Sequence, residues 1–180
     1  DLTSSVEKKT IAIDGEEFPQ YQFSFTPKQS GDVVISVQGR PEEDETSIWA
    51  AFVKTVLHCR RSKGWDQAIG DPVEIVPLTR PYGLRVGTVF VGTVLVDGKA
   101  APGVAVEFEE FNDEPPAEFP DEPLITGLVK TDEHGQFAVT LDRAGWWGIA
   151  ASAELEPVGK AGKKKEYSAT AFFWVFVHSR

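Results

Sequence analysis

The chain reads as short runs of alternating apolar and polar residues, separated by glycine- and proline-rich breaks. At residues 21–27, YQFSFTP puts Tyr21, Phe23 and Phe25 on one face, and at 31–39 GDVVISVQG does the same with Val33, Ile35 and Val37. A period of two belongs to a strand with one buried face. The intervening PKQSG reads as a turn, so these runs are expected to form an antiparallel pair. Residues 47–59, SIWAAFVKTVLHC, carry both periods, because Ile48, Ala51, Phe52 and Val56 also fit helical spacing. Their β-branched and aromatic side chains favour a strand.

A polar break at 60–71, RRSKGWDQAIGD, precedes a second series. Residues 88–111 hold two strands about DGKAAPG, and residues 124–142 hold two more about DEHG. Both connecting segments carry turn signals. GWWGIAASAEL and YSATAFFWVFV follow, joined by a Lys- and Gly-rich loop. The pattern predicts an all-β chain. An immunoglobulin-like β-sandwich is expected over 71–180, preceded over 1–70 by a smaller, incomplete β domain with too few strands to close a sandwich alone.

Two runs depart from simple alternation. In GWWG, the adjacent Trp146 and Trp147 must point to opposite faces of a strand. In AFFWVFV, Phe172, Trp174 and Phe176 share one face while Phe173, Val175 and Val177 share the other. A strand apolar on both faces is expected to be covered on both. One tryptophan is therefore assigned to the sandwich core and the other to a seam between the two domains, with an exposed binding ring as the alternative.

Composition narrows the function. An apolar fraction of 41% with five Trp and twelve Phe supplies a packed core, which separates the chain from disordered sequences. The net charge of −10 speaks against nucleic acid, whose phosphates need clustered Lys and Arg. Acidity concentrates in EFEEFNDEPPAEFPDEP at 107–123, where eight of the sixteen residues from Glu107 to Glu122 are Asp or Glu. Prolines there prevent regular pairing. The segment reads as a stiff negative loop, either simply solvated or a docking surface for a basic partner or cations. Cys59 is alone, so no intramolecular disulfide is expected. No apolar run approaches the ~20 residues of a helical membrane span. The chain lacks methionine and begins at Asp1, so its natural N-terminus is expected to lie elsewhere. A membrane anchor beyond Arg180 is left open.

Catalytic constellations are missing from the sequence. There is no Gly-x-Ser-x-Gly, no phosphate loop and no dinucleotide fingerprint. Cys59 and His58 are neighbours that a strand would send to opposite faces, a poor geometry for a nucleophile and its base. The protein is therefore not expected to be an enzyme. His134, in TDEHGQF beside Asp132 and Glu133, and His58 are the candidate metal ligands. Both also read as ordinary turn or strand-end residues, and neither has the spacing of a strong metal site. The candidate binding surface comprises Trp146, Trp147, Glu107 and Glu109.

Several pieces resemble a known family. They are Glu74-Ile-Val-Pro-Leu78 with Pro81-Tyr82, Asp97-Gly-Lys99 with Pro102-Gly103, Thr131-Asp132 with Gly135, and Ala144-Gly-Trp-Trp-Gly148. In this order they look like the periplasmic accessory component of nickel and cobalt uptake systems, a β-sandwich family encoded beside energy-coupling-factor transporters. The opening DLTSSVEKKT and the run FTPKQSGDVVISVQG resemble the late part of that family's first domain. The resemblance implies a periplasmic, non-enzymatic protein that binds a divalent transition metal, Ni²⁺ or Co²⁺, or hands it over to membrane transporter subunits. Imidazole and carboxylate ligands would suit such ions. The family's His-containing opening strand has no counterpart here, so no ligand carries over. The alternative is a structural or adhesive module that presents the outward tryptophan and the acidic loop to a protein or glycan.

Overall fold

Alternating side chains make strands, and strands are the dominant element among the described residues. The computed structural model describes residues 1–13, 15–28, 30–112, 120–160 and 163–179. Two compact units are present, Asp1–Ser30 and Gly31–Arg180. The first is an antiparallel hairpin of β1 (Glu7–Ile13) and β2 (Glu16–Gln22), after a single 3-10 turn at Thr3–Ser5. Residues 23–28 belong to no strand, so the pair expected from 21–27 and 31–39 does not form.

The second unit is a two-layer sandwich. One layer has the order β12-β8-β6, built from β6 (Val73–Pro77), β8 (Thr88–Val96) and β12 (Gln136–Leu141). A short β9 (Lys99–Ala100) pairs with the end of β8. Its two-residue turn, Asp97-Gly98, has φ of 48° and 73°. Positive φ at both positions is what a type I′ hairpin demands, and Asp-Gly supplies it.

The larger layer has the order β11-β10-β13-β14-β5-β3. Its strands are β3 (Val33–Gln38), β5 (Ser47–Leu57), β10 (Ala105–Glu110), β11 (Gly127–Lys130), β13 (Gly145–Lys160) and β14 (Lys163–His178). Two-residue strands join at its margins, β4 (Glu42–Glu43) beside β5 and β7 (Leu84–Arg85) beside β14. The order of β6 to β14, with β7 parallel to β14, is an immunoglobulin-like arrangement. The all-β sandwich read from the alternation is the observed fold.

The strands at 33–57 go elsewhere than the pattern implied. β5 runs parallel to β14, in register from Glu166↔Ser47 to Trp174↔Thr55. It turns Ala50, Phe52 and Val56 into the core that also holds Phe173 and Val175. β3 pairs antiparallel with β5 and not with residues 21–27. The compact units therefore part between Ser30 and Gly31, well before the boundary expected at 70/71. The physical reason is the inward face of β5, which buries its apolar residues against the sandwich. At the centre, Phe90 of β8 meets Phe137 and Phe173 at ring-centroid distances of 6.2 and 5.8 Å. Each such side chain contributes about 1.5–3 kcal/mol by burial.

Candidate functional site

The outer face of the large sheet carries the candidate site, and the period of two builds it. Along β13, Trp147, Ile149 and Ala151 point inward and are buried. The alternate residues Trp146, Gly148 and Ala150 therefore face out. Across the register, Gly148 opposes Trp174 and Ala150 opposes Phe172 on β14, while on the other side Glu109 opposes Gly148 and Glu107 opposes Ala150 on β10. Small residues on the middle strand leave a trough between carboxylates and aromatic rings. It is a groove of about 300 Å³. Its walls stand two strand spacings apart, roughly 10 Å.

Phe111 closes one end, its ring edge-on to Trp174 at 6.3 Å between centroids and 71° between planes. The Trp174 ring lies so close over Gly148 that an added Cβ would sit 3.3 Å from it. A larger residue there would push the ring outward by a few tenths of an ångström. Thr126 donates its hydroxyl to Glu109 Oε2 at 2.9 Å, which orients that carboxylate. Glu110 takes an ion pair from Arg143 at 3.3 Å. The remaining acidic insert at 113–119 lies outside the described residues.

The four residues expected to bind separate into two groups. Glu107 and Glu109 line the groove. Trp146 lies on the same outer face, 46% exposed, with its ring edge against Phe176 at 5.4 Å. Trp147 is 5% exposed, stacks on Phe108 at 6.3 Å, and donates its indole N–H to the Arg143 carbonyl at 3.1 Å. It belongs to the core. Trp174, Phe172, Phe111 and Thr126 were missed as site residues. The two-faced pattern of AFFWVFV was the available signal for the first two, while Phe111 and Thr126 left none.

His58 sits at the end of β5 in a side-chain cluster that spacing could not reveal. Its Nδ1 faces Asp32 Oδ1 at 2.7 Å, and Tyr82 donates its hydroxyl to Asp32 Oδ2 at 2.9 Å. The His58 and Tyr82 rings stack at 4.5 Å. Asp32's side chain is fully buried. Burial, reinforced by the Asp32 carboxylate, holds the Tyr82 phenol above its usual pKa. This cluster pins three loops together. Asp32→Ala is expected to lower the unfolding free energy by about 1–2 kcal/mol, because the half-buried Tyr82 hydroxyl and the His58 ring both lose the buried carboxylate that holds them. The urea midpoint reads it, and an unchanged midpoint would show that the cluster bears no structural load.

His134 is in the turn between β11 and β12, 3.7 Å from Glu133, with both side chains well exposed. Asp132 makes that turn: its Oδ1 accepts the backbone N–H groups of His134 and Gln136, both at 2.8 Å. The Gln136 amide foremost holds the Asp132 carboxyl below the ordinary aspartate pKa. Among the described residues no three His, Cys, Asp or Glu side chains gather as a metal ion would require. His58 and His134 sit in different loops, and the Asp32–His58 pair supplies at most two donors. That donor set does not fit a Ni²⁺ or Co²⁺ centre, which needs more ligands converging on one point.

A second polar group lies inside the sandwich. Lys54 of β5 pairs with Glu74 of β6, with side-chain exposures of 5% and 2%. Glu74 also accepts the backbone N–H of Ile69 at 2.8 Å and of Gly70 at 3.0 Å. The Lys54 ammonium lies 5.7 Å from the centre of the Phe173 ring. Burial draws the Lys54 pKa down, opposed by Glu74. Burial and then the Glu74 charge push Asp71 up. Glu74 thus ties the Lys54 ammonium to the backbone of the loop at 69–70, which marks the cluster as structural.

The chain belongs to the DUF4198 family, a domain of unknown function, whose profile matches residues 2–155. A comparison with curated proteins found no match. Among solved structures, the chain is similar to a "putative carbohydrate binding protein" from Pseudomonas aeruginosa at 14% identity and a TM-score of 0.32, covering 64% of this chain and 92% of that one. Among the described residues, no helix is long and apolar enough to cross a membrane.

Proposed function

We propose that this protein is a non-enzymatic binding module that takes a saccharide in the groove on the outer face of its large sheet. The observation that carries the reading is the pairing of an aromatic wall, Phe172 and Trp174, with a carboxylate wall, Glu107 and Glu109, across a floor of Gly148 and Ala150. A sugar ring has a C–H face that packs on an aromatic ring and a rim of hydroxyls that donate to carboxylates. The groove offers both chemistries. Its volume is at the lower end for small-molecule sites, and strands rather than loops carry most of its residues, which fixes their geometry.

Binding without hydrolysis follows from the placement of the carboxylates. A glycosidase holds two acids on either side of the scissile bond. Here Glu107 and Glu109 share one strand and one wall. Among the described residues neither faces a second carboxylate across the aromatic side, the arrangement that binding without cleavage needs. A role on glycans would place the protein outside the cytoplasm, among the polysaccharides of the cell envelope.

Titration calorimetry with a panel of neutral oligosaccharides tests the reading. Binding is expected in the wild type, weakened at least tenfold by Trp174→Ala. An equal-affinity Trp174→Ala variant, or a wild type that binds no saccharide in the panel, would refute it.

A further inference from the structure

The groove's charge is one-sided. Its carboxylate wall is Glu107 and Glu109, and among the described residues no Lys, Arg or His lines it. One of the two is occupied: Glu109 accepts from Thr126. Glu107 has no hydrogen-bond or ion-pair partner among the described residues. It projects from β10 opposite Ala150, with Phe172 next across the floor. A free carboxylate facing aromatic rings across a small-residue floor is a site for a positive charge carried on a partly apolar body. The carboxylate supplies a charge-assisted hydrogen bond, and the indole face adds a cation–π attraction.

Building on the saccharide reading, we infer that the preferred ligand is a cationic amino sugar, one whose ring nitrogen substituent is a free ammonium and not an acetamide. An ammonium group brings donors and charge to Glu107. Acetylation removes the charge and most of the donors, and it adds bulk at the carboxylate wall. The chain's net charge of −10 favours the same choice, since a surface of one sign raises the local concentration of the opposite one. The sequence also continues from β10 into Asp113, Glu114, Glu118, Asp121 and Glu122. Anionic glycans are disfavoured by the same arrangement.

The experiment compares β-1,4-linked glucosamine oligomers with their N-acetylated counterparts and with neutral glucose oligomers of equal length. Titrations are run at a pH where the amine is protonated, on wild type, Glu107→Gln and Glu156→Gln. Glu156 is exposed on the far end of β13 and outside the groove, so its substitution changes net charge by the same amount. Wild type is expected to bind the free-amine oligomer at least tenfold more tightly than the acetylated one. Glu107→Gln is expected to abolish that preference, and Glu156→Gln to keep it. Equal affinity for both oligomers overturns the inference and leaves the saccharide reading standing. Equal loss of preference in the two variants also overturns it, by assigning the effect to net charge. Failure of every oligomer to bind removes both readings.

Discussion

Glu74→Ala is expected to lower the unfolding free energy by about 3–5 kcal/mol, the cost of stranding a buried charge. The substitution leaves the Lys54 ammonium inside the sandwich with its ion-pair partner gone. It also removes the acceptor for the amides of Ile69 and Gly70, so the loop leading into β6 loses its anchor. The urea midpoint should fall steeply at constant slope. A double variant, Lys54→Met with Glu74→Gln, separates the causes. It deletes both charges and keeps one side-chain oxygen for the loop amides. It is expected to recover most of the loss, since a buried ion pair is often no more stabilising than apolar groups of similar volume. If Glu74→Ala costs less than about 1 kcal/mol, the charge is solvated in the native state and the account of the interior is wrong.

The tryptophan pair gives the second large effect, through contrast. Trp147→Ala removes a core side chain that is 5% exposed, together with its stacking on Phe108 and its bond to the Arg143 carbonyl. A loss of about 3–5 kcal/mol is expected from a cavity of that size. Trp146→Ala removes a ring that is 46% exposed and touches Phe176 edge-on. Its expected cost is about 1 kcal/mol or less, the range of one aromatic pair. Paired denaturation curves measure the difference. Similar midpoints for the two variants would mean that strand β13 is turned over, since a one-residue slip exchanges every side chain between the faces.

The legibility of these features in the chain follows their range. Alternation announced β8, β10 and β12, because one buried face and one open face repeat every two residues, while β-branched and aromatic content marked β5 and β14. The same rule required Trp146 and Trp147 to diverge. It could not say which was buried, because the choice depends on the strand's register against its neighbours. Register placed Trp147 over Phe108 and left Trp146 46% exposed, where the sequence reading had given one of the two, unspecified, to a seam between domains. Similarly, 31–39 looked like the partner of 21–27 because a turn lay between them. A longer strand, β5, took it instead, and nothing local distinguishes those two pairings.

The site shows the same division more sharply. Glu107 and Glu109 stood out as alternate acids on one strand, and AFFWVFV stood out as apolar on both faces. Their meeting depends on the order β10-β13-β14, which brings residues some sixty positions apart to the two sides of Gly148 and Ala150 at the strand spacing of the sheet. The Asp32–His58–Tyr82 cluster likewise joins three loops, and the buried charges join β5 to β6. Local chemistry therefore determined the all-β class, the turns, the two-faced final strand and the acidic character of the surface. Those properties arise from neighbours along the chain. Sheet order and register decided which face of each strand meets which partner, and so which tryptophan is core, which carboxylate is free and where a groove opens. Those are contacts between distant residues, whose selection rests on the summed burial of the whole sandwich and not on any one segment.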